Sequence, residues 1–336
     1  MLRIFSLIVV ISVALAGCSS APKKGGKPDW VDGNSAKYSN TMYLTGRGQA
    51  GGLAVAQDRA RSDLAKILEV QVQERSSDTT TFKSSTFGDM TQSQGSLDVS
   101  RQVKTQTRKV VKGIQIADTW KDSSGQYHAL AVLSRMQAGN AMKKEIEQFD
   151  GSTRSYINKA KQSNDSLAKM AYIFRALEAQ TQRHAIQQML QVVDSSGKGV
   201  PSPFNLGELT AELDAAARSM KFKTSAIGDE TGQTQPILAG ALSKAQFSES
   251  ADGGDFTLEG NLKMNPGVER EGWLWVRATY SVRMLDSKGG VRGNKHWSYK
   301  ISAQEQSTAT MRLMEKITKT LDDELAGTII GFAISQ

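Results

Sequence analysis

Apolar and polar positions alternate in several distinct registers along the chain, and each register predicts an element. Met42 to Thr45 reads as a short strand. From Leu53 the period lengthens: Leu53, Ala56, Ala60, Leu64, Ile67 and Leu68 recur at three and four, which is one apolar helical face. Its alanines allow close approach to a sheet. Leu68, Val70 and Val72 then alternate, predicting a strand with one wet face. Ser, Thr, Gln and Gly fill Ser76 to Ser100, an extended hairpin or long loop, and Val103 to Val111 has the polar, β-branched character of an edge strand. Ile114 and Ile116 alternate toward Trp120, a turn follows at Lys121 to Gly125, and Gln126 to Leu133 forms the next strand. Met142, Ile146 and Phe149 mark a closing helix, so the order is β-α-β-β-β-β-α.

Gly151-Ser152-Thr153 is read as a break. Helical patterning then fills Tyr156 to Val193, with Leu167, Met170, Phe174 and Leu177 on one face, followed by Ala185, Met189 and Val192. Asp194 to Pro203 is loop, Leu206 to Met220 a helix, Lys221 to Ala226 a strand, and Pro236 starts a helix through Leu242. Phe256, Leu258 and Gly260 alternate. So do Leu274, Val276, Ala278, Tyr280, Val282 and Met284, with Arg277, Thr279, Ser281 and Arg283 opposite. After a turn at Asp286 to Gly290 come Trp297, Tyr299 and Ile301, then a helix face of Leu313, Ile317, Leu321 and Leu325, and an apolar tail that packs back. The expected class is α+β, with two helix-on-antiparallel-sheet domains joined by a helical connector. The expected limits are 28–150 for the first domain, 151–205 for the connector and 206–336 for the second domain. The halves echo each other in element order, which predicts a similar topology.

The N-terminus changes the picture from a soluble body to an anchored one. Met1 and Arg3 precede an apolar run from Ile4 to Ala16, the layout of a secretory signal over residues 1–17. The run is shorter than the roughly 20 residues a bilayer-spanning helix needs. Leu15-Ala16-Gly17-Cys18 resembles the lipobox of bacterial lipoproteins, in which the cysteine is diacylated and becomes the new N-terminus. Cys18 is the only cysteine, so acylation accounts for a thiol that no internal disulfide can use. More than one acyl chain makes the attachment stable. By the same resemblance, Ser19 rather than aspartate after the cysteine implies sorting to the outer membrane. Residues 18–27, rich in Ser, Lys and Gly, form a tether, and Trp30 closes the edge of the first domain.

Mean hydropathy is −0.39 and the formal net charge +8, a polar body suited to anionic lipid or polyanionic wall material. No basic block interleaved with aromatics marks a nucleic-acid footprint, so no nucleic-acid partner is expected. Gly46-Arg47-Gly48-Gln49-Ala50-Gly51 matches G-x-G-x-x-G, but the strand before it is short and the next one alternates, unlike a sheet buried on both faces. The glycines are therefore expected to shape a tight strand-to-helix turn, with no cofactor. His128, His184 and His296 lie in different elements, and neither Glu212 with Asp214 nor Asp58 with Asp63 shares a helix face, so metal and carboxylate chemistry are not expected. Trp273 and Trp275 lie on the strand face opposite Leu274 to Met284, and Arg277 and Arg283 continue it. These four are the candidate partner contact; the competing reading buries the tryptophans against the connector or the first domain.

Pro28-Asp29-Trp30, the strand into Gly46-Arg47-Gly48, and the helix with Ala56, Ala60, Arg61, Leu64 and Ala65 resemble the twenty-kilodalton lipoprotein antigen family of outer-membrane lipoproteins, over roughly Lys27 to Phe149. The resemblance implies a compact helix-on-sheet domain, a periplasmic or surface location and no known catalytic residues. The family includes relatives near flagellar basal-body accessory proteins. The second half departs from the short members, and its pattern is similar to domains of assembly lipoproteins such as the curli secretion subunit. The resulting expectation is a non-enzymatic, lipid-anchored envelope protein that holds the bilayer through Cys18 and acts as scaffold or assembly factor on an envelope protein. A flagellar or secretion-machine accessory subunit and a peptidoglycan-binding module are the alternatives, and self-association is left open.

Overall fold

A computed structural model describes residues 26–33, 35–79, 113–251 and 253–334. The signal segment and Cys18 lie outside the described residues. So does most of the region expected to form the hairpin and edge strand between Ser76 and Val111.

The first half is built on β1 (Tyr43–Ala50), β2 (Gln115–Lys121) and β3 (Tyr127–Ser134), arranged β1-β3-β2 with every neighbour antiparallel. β3 reads as a continuous apolar run because both of its faces are covered. Ala129, Ala131 and Leu133 share a core with α1 (Leu53–Thr79), while Leu130 and Val132 meet Trp30 on the other side. A 3₁₀ turn over Asp29–Asp32 carries Trp30 into that second cluster, where the indole Nε1 donates to Asp118 Oδ2 at 2.8 Å. The tryptophan is thus a seal, as its position predicts.

Two sequence expectations here are corrected. Leu68, Val70 and Val72 are helical, not a strand, because α1 runs on to Thr79. Ala56, Ala60, Leu64, Leu68 and Val72 are all buried at a spacing of four, whereas Val70 is 45% exposed. β-branched residues lower helix propensity only slightly, and the buried stripe outweighs that. Gly46 and Gly48 are not in a turn either. They lie inside β1, opposite Ala131 and Ala129, and α1 crosses directly over them. A Cβ on Gly46 would stand 2.5 Å from the Leu64 backbone nitrogen, and one on Gly48 would stand 2.1 Å from the Ala56 carbonyl oxygen. The close packing is present; the turn is not.

Two long helices follow, α2 (Arg135–Gln162) and α3 (Ser166–Val193). Gly151-Ser152-Thr153 does not break the chain, and α2 runs straight across the expected boundary at residue 150. Thr153 is buried in that helix and returns its hydroxyl to the Phe149 carbonyl at 2.8 Å, so the polar residue is satisfied without interrupting the ladder. Asp165 caps α3 by accepting from the Ala168 amide at 2.9 Å. At its far end Arg135 donates to the carbonyls of Val192 and Val193 at 2.9 and 2.8 Å, placing a cation on a helix C-terminus.

The expected connector is in fact a shared spine. α3 is about 42 Å long by its residue count. Its first half gives Leu167, Met170, Ile173 and Leu177 to the second core, and its last turns give Ile186, Met189, Leu190 and Val193 to the first. Periodicity showed both apolar stretches, but only packing reveals that they serve different cores.

The second half adds α4 (Leu206–Ser219), β4 (Lys221–Ile227), α5 (Thr234–Lys244), β5 (Ser248–Glu249), β6 (Phe256–Met264), β7 (Val268–Arg270), β8 (Trp273–Asp286), β9 (Val291–Ala303) and α6 (Gln306–Ile334). The class remains α+β, but this sheet is mixed rather than antiparallel. β4 pairs in parallel with both β5 and β6, since α5 carries the chain back to the end from which β4 started. β6, β8 and β9 then form the expected meander. β9 pairs along one side of β8, so β6 and β7 share the other. The similar topology expected of the two halves is therefore corrected: the first sheet inserts its last strand between the other two, whereas the second sets β6 directly beside β4. Phe222, Leu258, Val276, Tyr280, Val282 and Ile301 cover one face, against Leu213, Leu242, Leu313, Ile317 and Leu321 from the helices.

Candidate docking surface

Strand alternation decides which side of the second sheet is open. In β8 the residues Val276, Ala278, Tyr280, Val282 and Met284 are all buried, and the residues between them are exposed or half-buried. α3, α4, α5 and α6 all contribute to the same buried core, so the helices lie on one side. The other face looks outward along its whole width. Trp273, Trp275, Arg277 and Arg283 all lie on it, as the period-two pattern requires.

The four do not have equal surroundings. Trp273 is 42% exposed. Trp275 is half-buried, with the Lys300 Nζ 4.5 Å from its ring centroid, a cation–π contact from the neighbouring strand. Arg277 is exposed and stands directly across from Lys300 in the β8–β9 register. Arg283 is tied down: its Nε donates to Glu259 of β6 at 3.0 Å. The reading that buried the tryptophans against the connector or the first domain is not what the structure has. Val268 of β7, 53% exposed, sits opposite Trp275 and extends the apolar corner.

Sequence reasoning missed the cations that other strands bring to this face. The registers place Lys221 and Lys223 of β4, Lys263 of β6, Arg270 of β7 and Lys300 of β9 on the same side as Arg277 and Arg283. Each strand alone shows one or two basic residues in a polar stripe. Only the pairing registers show that they converge, so no signal within a single segment could have found the patch.

The other candidates are scattered. His128 contacts Asp122 Oδ2 at 3.1 Å, His184 lies 3.1 Å from the Gln188 side chain, and His296 projects from β9 on the open face. Burial lowers the His184 pKa, with Arg183 adding to the effect. Asp122 is held well below the usual carboxylate range by the Ser124 hydroxyl, His128 and the amides of Gln126 and Ser124, so it serves its turn. Asp63 accepts from the Arg47 amide at 2.9 Å, and Asp58 pairs with Arg61. No group of three His, Cys, Asp or Glu side chains able to hold a metal ion occurs among the described residues. No helix among them is long and apolar enough to cross a membrane.

No curated protein matches the chain. Among solved structures, the secreted protein HP1454 from the human pathogen Helicobacter pylori is similar at 10% identity and a TM-score of 0.44, covering 83% of this chain and 96% of that one. A minor lipoprotein from Acinetobacter baumannii is similar at 16% identity and a TM-score of 0.23, covering 34% of this chain and 90% of that one. Residues 28–134, which hold the Trp30 seal, the first sheet and its covering helix, match the LPP20 lipoprotein family, and this is the stretch in which Pro28-Asp29-Trp30 and the Gly46–Gly48 strand carry the likeness.

Proposed function

We propose that this lipoprotein is anchored in the outer membrane through Cys18 and works without catalysis, as a scaffold or assembly factor that holds an envelope protein on the open face of its second sheet. The observation that carries this reading is the uncovered face of β8, where Trp273, Trp275, Arg277 and Arg283 stand in one row. Tryptophan and arginine are the side chains most often energetic at protein contacts. The inner face of the same strand already satisfies the core, so the row has no folding duty comparable to that of Tyr280 or Val282.

Trp275→Ala tests the docking role. The side chain is half-buried, so the melting temperature is expected to fall by only a few degrees while capture from envelope extracts drops sharply relative to wild type. A loss of about 3–5 kcal/mol, the cost of removing a fully buried aromatic, together with no specific capture by the wild type, would reject the docking surface.

Cys18→Ser tests the anchor. The variant is expected to accumulate as unprocessed precursor or to leave the membrane fraction on washing, because no described helix can span a bilayer. Mass spectrometry of the mature N-terminus decides it, and an unacylated terminus downstream of Cys18 counts against the anchor.

A further inference from the structure

Resting on the docking role just described, we propose that the partner presents an acidic protein surface, and that the whole open face of the second sheet is the complementary basic platform. Seven Lys or Arg side chains lie on that face among the described residues: Lys221, Lys223, Lys263, Arg270, Arg277, Arg283 and Lys300. On the strands' outward positions the one carboxylate is Glu259, and it is engaged with Arg283. The imbalance is local, since elsewhere both signs interleave in pairs such as Lys244 with Asp322 and Lys295 with Glu324.

The arrangement also carries a folding cost. Arg277 and Lys300 are direct cross-strand partners, and Lys263 pairs with Thr279, the next outward residue of β8. Like charges directly opposite on a sheet are destabilising. A face selected only for solubility would mix signs there. An anionic partner relieves the repulsion on binding, which gives the cost a function.

The composition of the face favours protein over lipid or glycan. Its centre is Thr257, Asn261, Thr279, Ser281 and Ser298, short polar side chains with nothing to insert into a bilayer. Its exposed apolar groups are Val268 and Trp273 beside the half-buried Trp275 at one corner, with Ile227 and Val291 set singly on other strands. Lys300 covers the Trp275 ring and so obstructs the stacking that a sugar would need. A sheet face with an aromatic–arginine corner and a surrounding field of cations matches an acidic protein surface with an apolar anchor point.

The test compares two charge-reversed forms of the full chain in neutral phosphatidylcholine nanodiscs. One carries Lys223→Glu, Lys263→Glu, Arg277→Glu and Lys300→Glu on the open face. The other carries Lys66→Glu, Lys144→Glu, Lys161→Glu and Lys316→Glu on exposed helix positions, with the same change in net charge. Poly-L-glutamate serves as the acidic polypeptide probe, read by fluorescence anisotropy. The open-face variant is expected to bind roughly tenfold more weakly than wild type, and the helix variant within about threefold. Equal losses would mean that bulk charge alone acts, and would overturn the proposal. Should the reversals unfold the sheet, Lys263→Gln with Lys300→Gln is expected to weaken binding by about threefold with the melting temperature retained; unchanged binding overturns the proposal. Repeating the measurement in phosphatidylglycerol nanodiscs with lysine acetylation distinguishes the membrane. Protection of Lys223, Lys263 and Lys300 by anionic lipid alone would make the face a lipid contact and overturn the protein assignment. Envelope capture that depends on Trp275 but ignores the four open-face reversals would sink the acidic preference while leaving the docking role intact.

Discussion

Gly48→Ala is expected to undo the seating of α1 on β1 and destabilise the first half by about 3 kcal/mol, the upper end of what overpacking usually costs. The added methyl would lie 2.1 Å from the Ala56 carbonyl oxygen and 2.4 Å from the Ala60 amide nitrogen. Both are backbone atoms of a helix whose Ala56, Ala60 and Leu64 are buried against the sheet, so no side chain can swing aside to make room. Relief requires lifting α1, and that would uncover the apolar stripe down to Val72. Gly51→Ala is the control. It lies between β1 and α1 with nothing within 4 Å of its Cβ, and little change is expected there. Urea denaturation of both variants reads the difference. Equal stabilities would mean that the helix rides higher on the strand than these distances imply.

Arg183→Leu is expected to be as damaging, at about 3–5 kcal/mol, because it takes the cation from a half-buried carboxylate, leaving it only the Gln180 amide, and removes the donor from two carbonyls. Arg183 is 3% exposed and lies on α3 between the segments that serve the two cores. Its Nε donates to Asp150 Oδ1 at 2.9 Å, and its Nη2 donates to the carbonyls of Val200 and Pro201 at 3.0 and 2.9 Å. Gln180 completes the network through Asp150 at 3.1 Å and Thr153 at 2.8 Å, and accepts from the Ser202 hydroxyl at 3.1 Å. The network therefore joins α2, α3 and the loop after α3 at the level where the cores meet. A double-mutant cycle with Asp150→Leu isolates the ion pair. Leu at both positions is expected to recover part of the loss, since a buried pair often costs as much to desolvate as it returns. Additive single losses would show that Arg183 acts through the carbonyls and not through Asp150.

These two sites mark what pattern could and could not show. Gly48 drew attention as part of a G-x-G-x-x-G string, and the inference of close packing was correct. Its setting in a turn was wrong, because the strand continues through Ala50, past the apolar signal that ends at Thr45. Glycines inside a strand leave no periodic trace, since they have no side chain to place. The Arg183 network was invisible. Asp150, Gln180 and Ser202 are separated by tens of residues, and each alone resembles a solvated polar position.

Local periodicity by itself determined most of the helices and strands. It also determined the α+β class and the outward row of Trp273, Trp275, Arg277 and Arg283, because a strand's two faces follow from a period of two. The Leu-Ala-Gly-Cys string and the Pro28–Leu64 matches carried the lipoprotein likeness, because they are short, ordered strings that survive without a fold. Three things were left to the tertiary structure. One is the extension of α1 through Val72, where an i to i+4 stripe and a strand-like alternation compete and burial decides. The second is the parallel pairing of β4 with β6, which depends on where α5 returns the chain. The third is the role of α3, whose single apolar pattern supplies two cores. Each of these is a relation between distant segments, set by register and packing, and such relations have no period along the chain.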